Sequence, residues 1–222
     1  MKPELNLTPV RLSAPRAAAI AGIIFSVLLI ASILLLRQAV PSNPLETGVW
    51  LQNRAETVAL ALNLVPFAGI AFLWFIGVLR DRLGKREDRF FATVFFGSGL
   101  LFLAMLFVSA AVMGGLIVAH TDRPDRLLGS ATFALGRAMI YEIMNVYAVR
   151  MAGVFMIVTS TLALRTGFLA RWIAYVGYSL AALLLFSGRY IEWILMVFPI
   201  WVLLISFYIL VDNHQETASG GR

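Results

Sequence analysis

The sequence predicts an all-α membrane protein: a bundle of six transmembrane helices with the N-terminus and the C-terminus in the cytoplasm. Three observations predict this class. Of the 222 residues, 60% are hydrophobic and 14% are charged, with a mean hydropathy of +0.86, whereas soluble domains hold about 45–50% apolar and about 25% charged residues. The apolar residues form runs that can cross a hydrocarbon core of about 30 Å. The basic residues concentrate on one side of these runs, as the positive-inside rule requires.

The N-terminal half of the chain contains three of the predicted spans. Residues 1–16 are polar and are predicted to form a cytoplasmic tail, and residues 17–36 form the first span. A cleaved signal peptide is the alternative, but its apolar core is only about 7–15 residues long, so we expect a retained helix. The loop at 37–57 includes a short segment near Trp50 that is expected to lie on the membrane interface. The second span is predicted at 58–79, where Pro66 kinks the helix, and Asn63 lies about one turn before it. The third span is predicted at 90–119 and must tilt or project beyond the hydrocarbon core, because it exceeds the core thickness.

The C-terminal half contains the other three predicted spans. They cover residues 138–164, 172–186 and 190–211, and residues 212–222 form a second cytoplasmic tail. The transmembrane domain therefore extends over residues 17–211. The sequence 165–171 forms a short basic turn between the fourth and fifth spans, and Pro199 lies inside the sixth span.

The distribution of positive charge gives the orientation. With six spans, eleven basic residues fall on the side of the N-terminus and six on the opposite side, so both termini are expected in the cytoplasm. The first group is Lys2, Arg11, Arg16, Arg80, Arg82, Lys85, Arg86, Arg89, Arg165, Arg171 and Arg222, and the second is Arg37, Arg54, Arg123, Arg126, Arg137 and Arg189. The remaining basic residue, Arg150, lies inside a span.

Arg150 is the centre of the predicted functional site. A charge in the middle of a transmembrane helix costs about 2.5–3.5 kcal/mol on insertion scales, and such residues commonly mark functional sites. Arg150 lies about 12 Å deeper than Glu142 at helical rise and is expected to face the bundle interior. Most other polar groups of the spans fall in the outer half, which predicts a polar cavity open to the outside and closed below. The predicted cluster is Arg150, Glu142, Asn145, Asn63, Tyr147 and Glu192.

Three roles are open for this cluster. A contact of the arginine with a glutamate or asparagine can lock helices together without further function. A cavity around Arg150 can bind a small anionic or lipidic ligand. A proton or ion relay is the third role, although relays usually contain a chain of Asp, Glu or His residues, and only Glu142 and Glu192 are present here.

Several function classes have no support in the residues. The chain has no Cys and two His, His120 and His214, which the predicted topology places on opposite faces of the membrane, so neither a metal site nor a cofactor is expected. No Lys lies within a span, which excludes a retinal Schiff base. No catalytic motif of a known hydrolase, protease or nucleotide-binding enzyme is present. No soluble basic domain is available for nucleic acid, so no nucleic-acid partner is expected.

One turn carries a family resemblance. The segment Leu164-Arg165-Thr166-Gly167-Phe168-Leu169-Ala170-Arg171, six residues before Gly177, resembles a recurrent turn in a family of uncharacterised bacterial multi-pass membrane proteins known only as a domain of unknown function. Arg16 with Ile20-Ala21-Gly22 fits the same family. Ala170 stands where a proline is frequent, and Ala174 where a glycine is frequent. The resemblance covers the first helix and the last third of the chain, and it implies a fold of six to seven helices with no assigned activity.

The sequence therefore predicts a multi-pass plasma-membrane protein of bacterial type without catalytic activity of its own. It is expected to act as an accessory or scaffold subunit of a membrane assembly, or as a binder of a small or lipidic ligand around Arg150. The alternative is a small secondary transporter that works as an oligomer. The expected partners are the lipid bilayer, a membrane protein or a second copy of the chain, and a small anionic or lipidic ligand.

Overall fold

The fold is entirely helical in the part of the chain that the structure describes. The structure is a computed structural model that describes residues 14–41, 43, 46, 48–83, 89–122, 124–187, 191 and 193–219, and these residues contain no strand. The helices are α1 (Ala14–Ala39), α2 (Trp50–Leu83), α3 (Arg89–Asp122), α4 (Pro124–Leu127), α5 (Ala131–Glu142), a π-helix (Ile143–Ala148), α6 (Val149–Thr166), α7 (Arg171–Ser187) and α8 (Ile194–Ser219).

Five helical segments are long and apolar enough to cross a membrane. They are Arg16–Ala39, Trp50–Arg80, Phe90–Asp122, Ala131–Thr166 and Ile194–Asp212, and the fourth combines α5, the π-helix and α6. The fifth predicted span, at 172–186, corresponds to the shorter apolar helix Arg171–Phe186 within α7. The all-helical class and the membrane-embedded character predicted from composition are confirmed.

Two helix starts differ from the prediction. The segment around Trp50, expected to lie on the interface, instead begins α2, which runs without a break through Pro66. The fourth span begins seven residues earlier than expected, because Ser130 caps α5 by accepting a hydrogen bond from the backbone N–H of Phe133 at 3.2 Å. At the other end of this span, Gly167 has φ +70° and its N–H bonds Ala163 O at 2.9 Å, so a left-handed glycine ends α6.

The helices pack in an order that closes a ring. Helix α1 contacts α2 and α8, α2 contacts α3, and α3 contacts α5, the π-helix and α6. Helix α6 contacts α7, and both contact α8, which returns to α1. The end of the bundle where α1 finishes and α2 begins is called the Pro41 end below, and the opposite end, where α6 finishes and α7 begins, is called the Gly167 end.

Phenylalanine side chains fill the middle of the ring. Five of them form a connected cluster with ring centroids 4.5–6.5 Å apart, a distance at which aromatic pairs attract through tilted and edge-on contacts. At most 5% of each side chain is exposed. The phenylalanine cluster consists of Phe25, Phe72, Phe102, Phe155 and Phe198, which come from α1, α2, α3, α6 and α8. One side chain from each of five helices therefore closes the centre of the bundle.

Arginines stack on aromatic rings at both ends. At the Pro41 end, the guanidinium of Arg37 lies 4.1 Å from the ring centre of Trp193. At the Gly167 end, Arg165 lies 4.3 Å from the ring centre of Phe91 and Arg80 lies 5.0 Å from that of Phe96. Such cation–π contacts combine an amphipathic ring with a charge, which suits the boundary between hydrocarbon and water.

Candidate ligand-binding cavity

A cavity of about 190 Å³ lies between the helices in the half of the bundle nearest the Pro41 end. Its wall is mostly aliphatic, with Met113 and Met144 as flexible side chains, and its polar members are few. The polar residues that line it are Ser32 and Arg37 from α1, Ser109 from α3, Arg137 and Tyr141 from α5, and Asn145 from the π-helix. Two of these residues are cationic and none is acidic. An apolar cavity with a few convergent polar groups is the usual form of a small-molecule site.

Arg137 is the most unusual member of this wall. Its side chain is only 6% exposed, although arginine is almost never buried without partners. One guanidinium nitrogen, Nη2, donates to the carbonyl oxygen of Pro41 at 2.9 Å, and the guanidinium lies 5.4 Å from the ring centre of Trp50. Among the described residues, its Nε has no hydrogen-bond partner. A buried donor without a partner is costly, so a ligand that accepts from this nitrogen would recover that cost.

Among the described residues, the acid that acts on Arg137 is Glu46. Glu46, which is exposed on the loop between α1 and α2, interacts favourably with Arg137. The second cation of the cavity, Arg37, stacks on Trp193 and has further contacts of its own. The net charge of the lining residues remains positive, which favours an anion over a neutral or cationic ligand.

Two other polar side chains of the wall, those of Ser32 and Asn145, are held by hydrogen bonds to the backbone. The Ser32 hydroxyl donates to Ala61 O at 2.9 Å and ties α1 to α2. The Asn145 side-chain nitrogen donates to Tyr141 O at 3.0 Å, so the side-chain oxygen of Asn145 points away from Tyr141 O. These contacts fix the orientation of the lining side chains before any ligand is present, which lowers the entropy cost of binding.

The phenylalanine cluster forms the floor of the cavity. A smaller void of about 20 Å³ adjoins the cavity, since Leu29, Ile33, Met144 and Leu195 line both. This void ends at Phe102 and Phe198. The cavity therefore narrows toward the centre of the bundle and stops at packed aromatic rings.

The π-helix at Ile143–Ala148 borders the cavity, where Tyr141 and Asn145, four residues apart and thus on one helix face, line the same wall. A π-helical turn holds one more residue than an α-helical turn and is frequent at functional sites. Each extra residue rotates everything after it by about 100° around the helix axis. The side chains before and after Ile143–Ala148 therefore face directions that a regular helix would not give them.

The structure corrects the predicted orientation of Arg150. The sequence predicts that Arg150 faces the bundle interior. In the structure Arg150 is exposed, and its Nη1 donates to Val146 O of its own helix at 3.0 Å. Nine residues separate Arg150 from the cavity-lining Tyr141, which on a regular helix is about half a turn, so the face that carries Tyr141 does not carry Arg150. The cavity is lined by Arg37 and Arg137 instead.

The other members of the predicted cluster do not assemble around Arg150. Asn145 lines the cavity, and Glu142 is half-buried and engaged by its neighbours. Asn63 and Tyr147 are exposed. Glu192 lies outside the described residues. The assignment of these residues to a common ligand site stays a prediction, and the structure brings only Asn145 to the cavity.

Sequence reasoning missed Arg37 and Arg137 because both were assigned to loops. One signal could have placed Arg137 correctly. Ser130 precedes Ala131-Thr132-Phe133 in the pattern of an N-cap, which starts the helix at Ala131, six residues before Arg137, and puts Arg137 on its second turn. No comparable signal places Arg37, since an arginine at the end of an apolar run is typical of a membrane boundary.

No protein-family model, curated protein or solved structure matches the chain. Fold and cavity alone therefore define the class of protein. It is a membrane-embedded helix bundle with an arginine-lined apolar cavity at one end. The resemblance of the turn at Gly167 to the family of bacterial multi-pass proteins stays an expectation.

Proposed function

We propose that the protein is a membrane receptor or carrier subunit, without catalytic activity of its own, that binds a small amphiphilic anion in the cavity at the Pro41 end. The observation that carries the proposal is Arg137, which is buried in the cavity wall with an Nε that has no partner among the described residues. An anionic head would accept from Arg137 and sit beside Arg37. The ligand's apolar part would pack on the aliphatic wall, down to the phenylalanine cluster.

The size of the cavity limits the ligand. A dry cavity of about 150 Å³ accommodates benzene, so 190 Å³ suits a head group with a short chain rather than a whole phospholipid. A medium-chain carboxylate such as octanoate has this chemistry. Its carboxylate can accept two N–H bonds from one guanidinium, and such charge-assisted bonds are about twice as strong as neutral ones.

The same proposal includes the topology. Helix α7, at 17 residues, is at the lower limit of about 17–25 residues for a transmembrane helix, and we propose that it also crosses the membrane, as the fifth of six spans. Both termini then lie in the cytoplasm, the Pro41 end faces outward, and the membrane is a bacterial plasma membrane. Because the chain has no Cys, a single Cys at Gly84 or at Arg54 can test this. An impermeant reagent added outside should label Arg54→Cys and not Gly84→Cys, and the reverse pattern would invert the topology.

The binding experiment uses the full chain in nanodiscs of zwitterionic lipid. Octanoate and octanol are titrated against the wild type, Arg137→Met and the control Arg54→Met, which removes one exposed positive charge at the same end without touching the cavity. Loss of hydrogen bonds to a charged group costs about 1.5–3 kcal/mol. We therefore expect Arg137→Met to weaken octanoate about 10–100-fold, with Arg54→Met unchanged and octanol weak throughout.

A second variant separates binding from folding. Arg137→Met also removes the bond to Pro41 O, so its thermal midpoint must be measured. Ala110 lines the cavity, and Ala110→Leu keeps Arg137 but occupies part of the space. It should reduce octanoate affinity with the midpoint maintained. Equal octanoate affinity in all variants, or equal affinity for octanol and octanoate, would overturn the proposal.

A secondary transporter is the second candidate, and the π-helix beside the cavity favours it. A π-helical turn can shift its extra residue along the chain and thereby move Met144 and Asn145, which line the cavity. Pro66 and Pro199 inside α2 and α8 provide further points of bending. Uptake of labelled octanoate into proteoliposomes distinguishes the two candidates: a transporter accumulates it inside, whereas a receptor saturates at a stoichiometric amount.

A further inference from the structure

We propose that the exposed face of α6 around Arg150 is a docking surface for a transmembrane helix of a different protein, and that this helix carries a carboxylate at the depth of Arg150. The observation is independent of the cavity. Arg150 is exposed on the outside of the bundle, in the middle of an apolar segment that is long enough to span the membrane.

The depth of Arg150 follows from its distance to the two ends of the span. It lies 13 residues after Arg137 and 15 residues before Arg165, or about 20 Å from each at helical rise. Arg165 marks the Gly167 end through its contact with Phe91, and Arg137 marks the Pro41 end through its bond to Pro41 O. Arg150 is therefore within the hydrocarbon region, where water does not solvate it.

Within the described part of the chain, the only polar partner of Arg150 is a backbone carbonyl. Its Nη1 donates to Val146 O of its own helix, and no acidic side chain among the described residues pairs with it. Charged side chains at this depth are costly and normally pair with another group or face a water-filled space. The exposed guanidinium of Arg150 on a lipid-facing surface therefore calls for a polar partner from outside the bundle.

The chemistry of Arg150 selects the partner's residue. A planar guanidinium with five donors pairs best with a carboxylate, which accepts two parallel bonds. Tyr147, one turn toward the Pro41 end, is 57% exposed and adds a phenol donor on the same face. The neighbouring Met151 and Val154 are half-buried and apolar, which lets a partner helix pack closely on either side of the pair.

A second copy of this chain does not supply the carboxylate. The acidic residue nearest to Arg150 along this helix is Glu142, about 12 Å closer to the Pro41 end, and it is half-buried and engaged by its own chain. Of the other acids that the structure describes, Glu46 lies in a loop, and Glu56, Asp81, Asp122, Asp125, Asp212 and Glu216 lie toward the ends of their helices. The remaining acids, Glu4, Glu87, Asp88 and Glu192, lie outside the described residues. The partner helix therefore belongs to another protein.

The test uses a defined probe in place of the partner. Three leucine-rich transmembrane peptides, identical except for Glu, Gln or Leu at the central position, carry a fluorescent acceptor. The full chain carries the donor in liposomes, with the peptides dilute enough to remain monomeric. We expect the Glu peptide to associate about tenfold more tightly than the Leu peptide, with the Gln peptide between them.

Variants at Arg150 identify the surface. Arg150→Leu should abolish the preference for the Glu peptide, and Arg150→Lys should retain part of it, since lysine keeps the charge but lacks the planar fork. The matched control is Phe67→Leu, which changes a 62% exposed side chain on α2 near the middle of its span. It should behave as the wild type. Circular dichroism of Arg150→Leu should be unchanged because Arg150 makes no buried contact that the fold requires.

Two outcomes would overturn the proposal. The first is equal association of the Glu and Leu peptides with the wild-type chain, which would mean that Arg150 is solvated by lipid head groups and local water. The second is a preference for Glu that persists in Arg150→Leu, which would place the carboxylate elsewhere on the bundle. Neither outcome affects octanoate binding, so this proposal fails independently of the proposed function.

Discussion

Replacing Phe72 by Ala should destabilise the bundle strongly, because the ring of Phe72 contacts more aromatic rings than any other member of the phenylalanine cluster. It is fully buried and lies 4.5–6.2 Å, centroid to centroid, from five other rings. These rings belong to Phe25, Phe75, Phe102, Phe155 and Phe198.

The magnitude follows from what the ring loses in a membrane. In soluble cores, Phe→Ala costs about 3–5 kcal/mol. In a bilayer the transfer part of this cost is lost, since lipid is as apolar as the bundle interior. The dispersion contacts and the aromatic pairs remain, and each pair contributes about 0.5–1.5 kcal/mol. We therefore expect a loss of about 2–4 kcal/mol in the free energy of unfolding for Phe72→Ala.

The stability of Phe72→Ala is compared with that of a control variant on the same helix. Helicity is followed by circular dichroism while sodium dodecyl sulfate is titrated into mixed micelles, for the wild type, Phe72→Ala and Phe67→Ala. Phe67 is on the same helix and is 62% exposed, so its removal should change the free energy by no more than about 0.5 kcal/mol. Equal losses for the two variants would refute the reasoning, because they would show that the five rings do not form a packed core.

Two further predictions test other contacts. At Gly177 an added Cβ would meet the side chains of Ser160 and Trp201, so Gly177→Ala should destabilise the bundle by about 1–3 kcal/mol. At Gly97 an added Cβ meets nothing within 4 Å, so Gly97→Ala should be neutral or stabilising by up to about 1 kcal/mol in the same titration. A larger loss of stability in Gly97→Ala than in Gly177→Ala would contradict the packing. Ser109→Cys, in the cavity wall, should react with an anionic methanethiosulfonate reagent added outside, whereas Ser206→Cys, buried on α8, should not react. Labelling of both positions would show that the bundle is open beyond its aromatic floor.

Much of the fold could be predicted from the sequence, because hydropathy depends on composition and not on the direction of each side chain. The apolar runs predicted each of the long helices, and α1, α3 and α7 lie within about three residues of their predicted bounds at both ends. Gly167 ends its helix at the predicted short turn after the fourth span. Two helix starts were predicted wrongly, and each error has a local cause in the structure. The cap at Ser130 lengthened the fourth span, and the apolar residues around Trp50 joined α2 instead of lying on the surface.

The site was harder to predict from the sequence, because a site depends on the direction of each side chain around its helix. The π-helix at Ile143–Ala148 has no composition that distinguishes it from a regular helix, and Arg150, expected in the interior, is exposed. Arg137 shows the opposite error. As a charged residue beside a loop it was counted as solvated, but the tertiary packing of Trp50 and Pro41 buries it.

The claim that the cavity at the Pro41 end binds a small amphiphilic anion is tested most directly by a photoreactive analogue of octanoate with a diazirine near the end of its chain. After irradiation in nanodiscs, peptide mass spectrometry locates the adducts. We predict adducts on the cavity-lining residues Leu62, Leu106 and Met113, which disappear with excess octanoate and in Arg137→Met. Adducts confined to lipid-facing residues such as Phe67 and Phe207, and insensitive to excess octanoate, would contradict the claim.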